Sequence, residues 1–207
     1  MATQGEFLGK ILNPLLESAR SGNGHVFFVD AAHFVQGAFL CCLWCACRLF
    51  IRGASGHQRY SVLGAWNAVT NELVRITTAG TVSSETMCDL LRKIAALGLT
   101  GPITLVLDNA RYQSCELVMN LAATLHITLQ FLPSYSPNLN LIERLWKFVK
   151  RDVLYGHHDN NFTDFCGAID GCLDNIPTQH RPQHRPQLAT LMTRNFQTFN
   201  TASFLTA

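Results

Sequence analysis

Three carboxylates lie at places in the sequence where an isolated acidic side chain is unexpected. Asp30 follows the apolar run HVFFV, Asp108 follows ITLVL, and Glu143 is the one acidic residue of the apolar and basic segment 141–151. Carboxylate oxygens held on rigid elements are ligands for paired Mg²⁺ ions, which activate an attacking water or hydroxyl and stabilise the leaving oxygen in phosphoryl transfer. Because like charges at close range repel one another without a cation, a grouped trio would indicate metal binding.

Each carboxylate also has an ordinary structural explanation. Asp30 can cap the segment that follows it, Asp108 can form an Asx turn, and Glu143 can pair with Lys147 one helical turn later. Taken singly, these explanations are at least as good as catalysis. Pattern and spacing alone leave the two interpretations evenly balanced, so the elements that position the trio matter.

Hydrophobic periodicity and turn residues predict the order of those elements. The sequence predicts helices over 4–20, 83–97 (with a serine cap), 114–125, 141–154 and 161–175, and strands over 25–30, 35–45, 59–70, 72–80, 103–107 and 127–132, with a hairpin turn at Thr70-Asn71. Successive strands followed by alternating strands and helices indicate an α/β fold: a mixed sheet with helices on both faces.

Composition limits the class of protein without fixing its partner. The chain has 207 residues, 14% of them charged, and a net charge of +2, which indicates one globular domain and neither demands nor excludes nucleic acid. The N-terminus lacks a signal-peptide pattern, and the longest apolar run, 38–47, is too short to span a bilayer. We therefore expect a cytoplasmic protein with reduced thiols. Cys41, Cys42, Cys45 and Cys47 form an incomplete zinc signature, and the favoured interpretation is small apolar residues in a buried strand.

Four segments resemble the catalytic domain of DDE transposases, and more narrowly the bacterial insertion-sequence branch of the mariner superfamily. They are VFFVDAAHFV, RYSVLGAWNAVT, LVLDNARYQ and FLPSYSPNLNLIERLWKFVK. The resemblance extends over residues 6–175, and 34 residues separate Asp108 from Glu143, as in this branch. It assigns the catalytic and metal-binding roles to Asp30, Asp108 and Glu143. The motif after Pro133 fits this family better than a Holliday-junction resolvase or ribonuclease H.

The resemblance also implies a fold and a domain organisation. The expected fold is RNase H-like, a five-stranded mixed sheet flanked by helices. Asp30 is then on the first strand, Asp108 follows the fourth, and Glu143 projects from the helix after the fifth. We expect an N-terminal helix and linker over 1–24, the catalytic domain over 25–176, and a C-terminal tail with a loop and short helix over 177–207. The tail contains a duplicated HRPQ motif at 180–187, to which we assign no chemistry.

The implied activity is metal-dependent cleavage at transposon ends followed by strand transfer into target DNA, or cut-and-paste transposition. Two Mg²⁺ or Mn²⁺ ions are the expected cofactors, and no covalent intermediate is needed. The expected partners are double-stranded DNA, with a TA target site, and a second copy of the chain, since two ends must be paired. A bacterial, nucleoid-associated location is expected, without a membrane partner. Only 24 residues precede the first predicted strand, so end recognition is expected from an upstream helix-turn-helix polypeptide. The alternative is a truncated remnant or DNA-binding regulator that keeps the fold without transposition.

Basic and polar residues near the trio are candidate DNA contacts. Lys147 and Lys150 follow Glu143 by four and seven positions, which places them on its helix face, although a solvated face is the alternative. Segment 141–151 carries a net charge of +3. Trp146 is predicted to be core. The residues predicted to bind DNA are Asn109, Arg111, Arg144, Lys147, Lys150 and Arg151.

Overall fold

The fold is built on one five-stranded mixed sheet. The computed structural model describes residues 3–37, 58–155, 161–176, 190–193 and 195–198. The strands are β1 (His25–Val35), β2 (Arg59–Asn67), β3 (Leu73–Thr78), β4 (Ile103–Leu107) and β5 (Ile127–Phe131), in the spatial order β3-β2-β1-β4-β5. The β1–β2 and β2–β3 pairs are antiparallel, and the β1–β4 and β4–β5 pairs are parallel. The predicted five-stranded mixed sheet is therefore confirmed.

Helices cover both faces of the sheet. They are α1 (Gln4–Phe7), α2 (Asn13–Arg20), α3 (Ser84–Ala95), α4 (Glu116–Thr124), α5 (Ile142–Leu154) and α6 (Phe162–Asp174). A π-helical segment, Leu8–Leu12, joins α1 to α2, so the predicted helix over 4–20 is continuous but not regular. The side chain of Ser83 caps α3 as predicted. Within the described ranges, every helix is too short or too polar to span a bilayer.

The alternation of side chains along β1 divides the core in two. Phe28 and Phe34 face a cluster that includes α2, α5 and α6, whereas Phe27 and Val29 face a cluster built on α3 and α4. Successive residues of a strand point to opposite faces, so Asp30 shares the face of Phe28 and therefore of α5. This parity decides which helix meets the first carboxylate.

The structure corrects one predicted strand. The strand β1 continues for five residues beyond the predicted end at Asp30, because Ala31–Val35 pair with β2. Its parallel pairing with β4 stops at Val29, opposite Leu107. Asp30 is therefore inside a strand and cannot be a cap, but it is the first residue beyond the β1–β4 pairing.

Three expectations fall wholly or partly outside the described residues. In the predicted strand 35–45, Val35 is the last residue of β1 and residues 38–45 are not described, nor are the cysteines of 41–47. The HRPQ duplication is not described either. The domain boundaries after residues 24 and 176 stay predictions. Buried Leu12 and Leu16 nevertheless pack in the α5–α6 core.

The turn between β2 and β3 forms as predicted. Asn71 adopts a left-handed backbone with φ of 60°, and the Oδ1 of Asn67 accepts hydrogen bonds from the backbone N–H groups of Val69 and Thr70. Asparagine tolerates that conformation and makes such bonds readily, which explains why the turn is readable from the sequence.

Candidate active site

The three predicted carboxylates meet at the carboxyl edge of β1 and β4. Val29 and Leu107 are paired in parallel register, so Asp30 and Asp108 follow at neighbouring positions on adjacent strands. Side chains at equivalent positions of parallel neighbours point to the same face, which here is the α5 face. Glu143 lies in the first turn of α5, which packs on that face. Topology thus assembles three groups that lie 35 to 113 positions apart in the sequence.

The pKa of Asp30 reflects the proximity of the other two carboxylates. Burial, together with the negative charges of Glu143 and Asp108, raises the pKa of the Asp30 carboxyl from 3.8 to about 7. A hydrogen bond from the backbone N–H of Ala31 opposes the rise. Repulsion of this kind is expected where carboxylates share a site without a cation.

Asp108 is held by its own turn. Burial raises the pKa of its carboxyl, while hydrogen bonds from the side chain of Gln113 and the backbone of Ala110 lower it. Gln113 is fully buried, and its Nε2 donates to the hydroxyl of Tyr112 at 3.2 Å. Burial also raises the pKa of Tyr112, followed by the charges of Asp30 and Asp108, so this ring lies beside both aspartates. Sequence reasoning missed Gln113, which follows the LVLDN motif with no pattern of its own.

The donor chemistry of the trio fits a hard divalent cation. Carboxylate oxygens are the preferred ligands of Mg²⁺ and Mn²⁺, and the electrostatic strain on Asp30 is of the kind that a cation relieves. Among the described residues, however, no three His, Cys, Asp or Glu side chains converge tightly enough to bind a single ion together.

An open cavity adjoins the carboxylates. Its volume is about 460 Å³, and its lining includes Asp108, Glu143 and the loop between β5 and α5. Asp108 is only partly covered and is the most exposed of the three acids, whereas Asp30 and Glu143 are half-buried. The cavity therefore gives a ligand from solvent direct access to two of the three carboxylates.

The loop 133–140 forms the wall of this cavity. It starts where the backbone N–H of Leu132 donates to the carbonyl of Leu107, which ties it to the end of β4. Tyr135 is 96% exposed and has a left-handed backbone with φ of 58°. The loop ends in a 3₁₀ turn, Pro137–Leu139, and at Asn140, whose Nδ2 donates to the carbonyl of Val29 at 3.2 Å.

Trp146 packs against the sheet beside Asp30, as core and not as an exposed stacking surface. It is 2% exposed and covers Gly64 on β2, which is paired with Asp30. A Cβ atom at Gly64 would lie 2.7 Å from Cη2 of the indole. The indole N–H lies near Asp30 and lowers its pKa, although no hydrogen bond of normal geometry forms. A glycine inside a strand signals close approach of another group, and this signal was available in the sequence.

Most of the predicted DNA contacts lie around the cavity or on α5. Asn109 and Arg111 are exposed next to Asp108, and Lys147 is exposed on α5. The Nζ of Lys150 lies 5.9 Å from the Phe34 ring, and the guanidinium of Arg151 lies 5.8 Å from that of Phe148. Their contacts with DNA stay predictions.

Arg144 differs from the other predicted contacts. Its guanidinium donates to the carbonyls of Leu191, Thr193 and Asn195 and lies 5.4 Å from the ring of Phe196. These bonds direct the guanidinium at residues 190–193 and 195–198. Burial lowers the pKa of the Arg144 guanidinium. Arg144 therefore holds residues 190–193 and 195–198 against the start of α5, and its contact with DNA stays a prediction.

A family model described as DDE superfamily endonuclease matches residues 48–165, which is more than half of the chain. That range includes Asp108 and Glu143 but not Asp30. No curated protein matches the chain.

Solved structures share the fold at low sequence identity. The Mos1 mariner paired-end complex with Mn has a TM-score of 0.62 at 13% identity, over 95% of this chain and 64% of that one. The catalytic domain of Mos1 mariner transposase has a TM-score of 0.57 at 10% identity, over 95% and 94%. The simian T-cell lymphotropic virus intasome has a TM-score of 0.54 at 18% identity, over 86% and 58%.

These likenesses confirm the predicted RNase H-like fold of transposase and integrase catalytic domains. The chain spans 63% of the length of the Mos1 transposase chain in a paired-end complex with the left transposon end. With the family model matched over more than half of the sequence, the chain belongs to the DDE superfamily of endonucleases.

Proposed function

We propose that this chain is the catalytic domain of a cut-and-paste transposase of the bacterial insertion-sequence branch of the mariner superfamily. The observation that carries the proposal is the meeting of Asp30, Asp108 and Glu143 at one sheet edge, where the charges of the other two raise the pKa of Asp30. Carboxylates placed so that they raise the pKa of one another are typical of functional sites.

The proposed role of each residue follows from its position in the site. Asp108 and Glu143, which line the cavity, and Asp30 behind them would hold two Mg²⁺ or Mn²⁺ ions. When bound, such ions activate an attacking water or 3′-hydroxyl and stabilise the leaving oxygen on DNA. The cavity admits the sugar–phosphate backbone beside the acids. Basic side chains would neutralise the charge of that backbone, and Asn109 would donate a hydrogen bond to it. The basic residues proposed for this role are Arg111, Arg144, Lys147, Lys150 and Arg151.

The wider assembly is proposed from the complexes in which proteins of the same fold were solved. The Mos1 structures that share the fold are described as paired-end and strand transfer complexes, which supports a homodimer on two transposon ends. A TA target, an upstream helix-turn-helix polypeptide and a nucleoid-associated location complete the proposal.

The alternative function is a DNA-binding regulator or remnant that keeps the fold without cleavage. Such a protein would need only the fold and the basic residues, of which Arg111 and Lys147 are exposed. In such a protein the basic residues would bind DNA while the acids stay without a cation.

Nicking of supercoiled plasmid with and without Mg²⁺ separates the two functions. Asp108→Asn keeps the size of the side chain and removes its charge, so we expect nicking to fall to background. Asp89→Asn is the matched control, because Asp89 is on α3 and pairs with Arg92 at 2.8 Å on the surface. Equal nicking by wild type and Asp108→Asn would overturn the catalytic assignment. DNA binding without nicking by the wild type would support the regulator.

A further inference from the structure

Asn140 is a buried polar residue beside the carboxylates to which the sequence assigned no chemistry. It lies three positions before Glu143, is 2% exposed, and lines the same cavity as Asp108 and Glu143. Buried amides normally satisfy both ends of the side chain with hydrogen bonds. In Asn140 the two ends have different environments.

Two hydrogen bonds of Asn140 connect the backbone beside Asp30 to the backbone of Glu143. The Nδ2 of Asn140 donates to the carbonyl of Val29, the residue before Asp30, and the backbone carbonyl of Asn140 accepts from the N–H of Glu143 at 3.3 Å. The parallel β1–β4 pairing ends at Val29, and the side chain of Asn140 supplies the hydrogen-bond donor for the Val29 carbonyl at this end of the strand pair. Through these two bonds Asn140 fixes the start of the Glu143 helix relative to the backbone of Asp30.

The oxygen end is unsatisfied. A carbonyl only accepts hydrogen bonds, so the side-chain atom of Asn140 that contacts the Val29 carbonyl must be the nitrogen. The other terminal atom of the amide is therefore Oδ1. That Oδ1 is buried and has no hydrogen-bond partner among the described residues. A buried acceptor without a donor is unfavourable, and a ligand that supplies the donor would therefore be stabilised.

The missing donor has a restricted chemistry. Phosphate oxygens of DNA accept and do not donate at neutral pH, so the phosphates cannot satisfy an amide oxygen. A hydrated divalent cation would be attracted by the carboxylates, and its waters donate hydrogen bonds. Donors of this kind commonly bind side chains that surround a metal site without touching the metal.

We propose that Asn140 is a positioning residue for the metal site. Its Nδ2 sets the spacing of Asp30 and Glu143, and its Oδ1 accepts a hydrogen bond from a water carried by the divalent ion. The inference rests on the proposed function, because it requires that the carboxylates bind that ion.

The test is calorimetric titration of the whole chain with Mn²⁺ alone, without DNA. We expect Asn140→Ala to weaken Mn²⁺ binding by about 10- to 100-fold. Asn138→Ala is the matched control, because Asn138 lies in the same 3₁₀ turn but donates to the side-chain oxygen of Gln4 and to the carbonyl of Gln197. Its Mn²⁺ affinity should stay that of the wild type.

Asn140→Asp separates the two ends of the side chain and covers the case in which the alanine variant does not fold. It keeps an acceptor oxygen but replaces the donor to Val29 with another acceptor. We expect Mn²⁺ affinity at least as high as that of the wild type, with a lower melting temperature in the metal-free protein.

Three outcomes would overturn the inference. They are wild-type Mn²⁺ affinity in Asn140→Ala, an equal loss in Asn138→Ala, and a loss in Asn140→Asp as large as that in Asn140→Ala. Asp108→Asn distinguishes the two levels of the proposal. If Asp108→Asn weakens Mn²⁺ binding and Asn140→Ala does not, only the role of Asn140 fails. If Asp108→Asn has no effect on binding, the metal site fails and the role of Asn140 fails with it.

Discussion

Gly64→Ala tests whether the packing of α5 on the sheet positions Glu143. The added Cβ would lie 2.7 and 2.8 Å from two carbons of the Trp146 indole and 3.1 Å from Cδ1 of Ile142. Nonbonded carbons prefer about 3.5–4.0 Å, so α5 has to move away from β2 by a substantial fraction of an ångström. Because Ile142 and Trp146 flank Glu143 on the helix, the movement takes Glu143 away from Asp30.

The expected loss of stability follows from the cost of overpacking a core. Overpacking of a well-packed core costs about 1–3 kcal/mol, and each 1.4 kcal/mol is a factor of about 10, so the folding equilibrium constant should fall about 5- to 150-fold. Urea unfolding followed by tryptophan fluorescence measures this change. Plasmid nicking under conditions where the variant stays folded should also fall, because two-metal chemistry requires the acids to keep their spacing.

Gly167→Ala is the matched control for the same substitution. Gly167 is exposed on α6, and no described atom lies within 4 Å of a Cβ built there. Alanine in a helix interior should raise stability by about 0.5–1 kcal/mol. Trp146→Phe combined with Gly64→Ala should recover part of the lost stability, because it removes the carbons that clash. Wild-type stability and wild-type nicking in Gly64→Ala would refute the packing argument.

Two further predictions concern the charge on Asp30 and the contacts of Arg144. Because burial and neighbouring charges raise the pKa of folded Asp30 from 3.8 to about 7, the metal-free protein should lose stability as the pH rises through that window. Asp30→Asn should flatten this dependence in thermal unfolding at pH 5 and pH 8, and an unchanged slope would contradict the assignment. Arg144→Ala removes the donors to three carbonyls of segment 190–198, so hydrogen exchange of that segment should accelerate. Lys147→Ala, on the exposed side of the same helix, should leave that exchange unchanged.

The sequence by itself determined the type and order of most elements, and it predicted which three acids form the site. Serine at position 83, asparagine at position 71 and the apolar run before Asp108 act on residues a few positions away, so local chemistry was enough to interpret them. The spacing of Asp108 and Glu143 was likewise visible in the chain. What these patterns could not give was the distance between groups on different elements.

The tertiary structure decided the features that depend on contacts between distant parts of the chain. Pairing with β2 extended β1 past Asp30, where a local reading expected an end. The hydrogen bond from Asn140 to Val29 spans 111 positions, and Arg144 binds carbonyls more than 45 positions away. The physical reason is that a buried donor or a strand edge takes whichever partner the fold presents to it, and the fold is set by the whole chain.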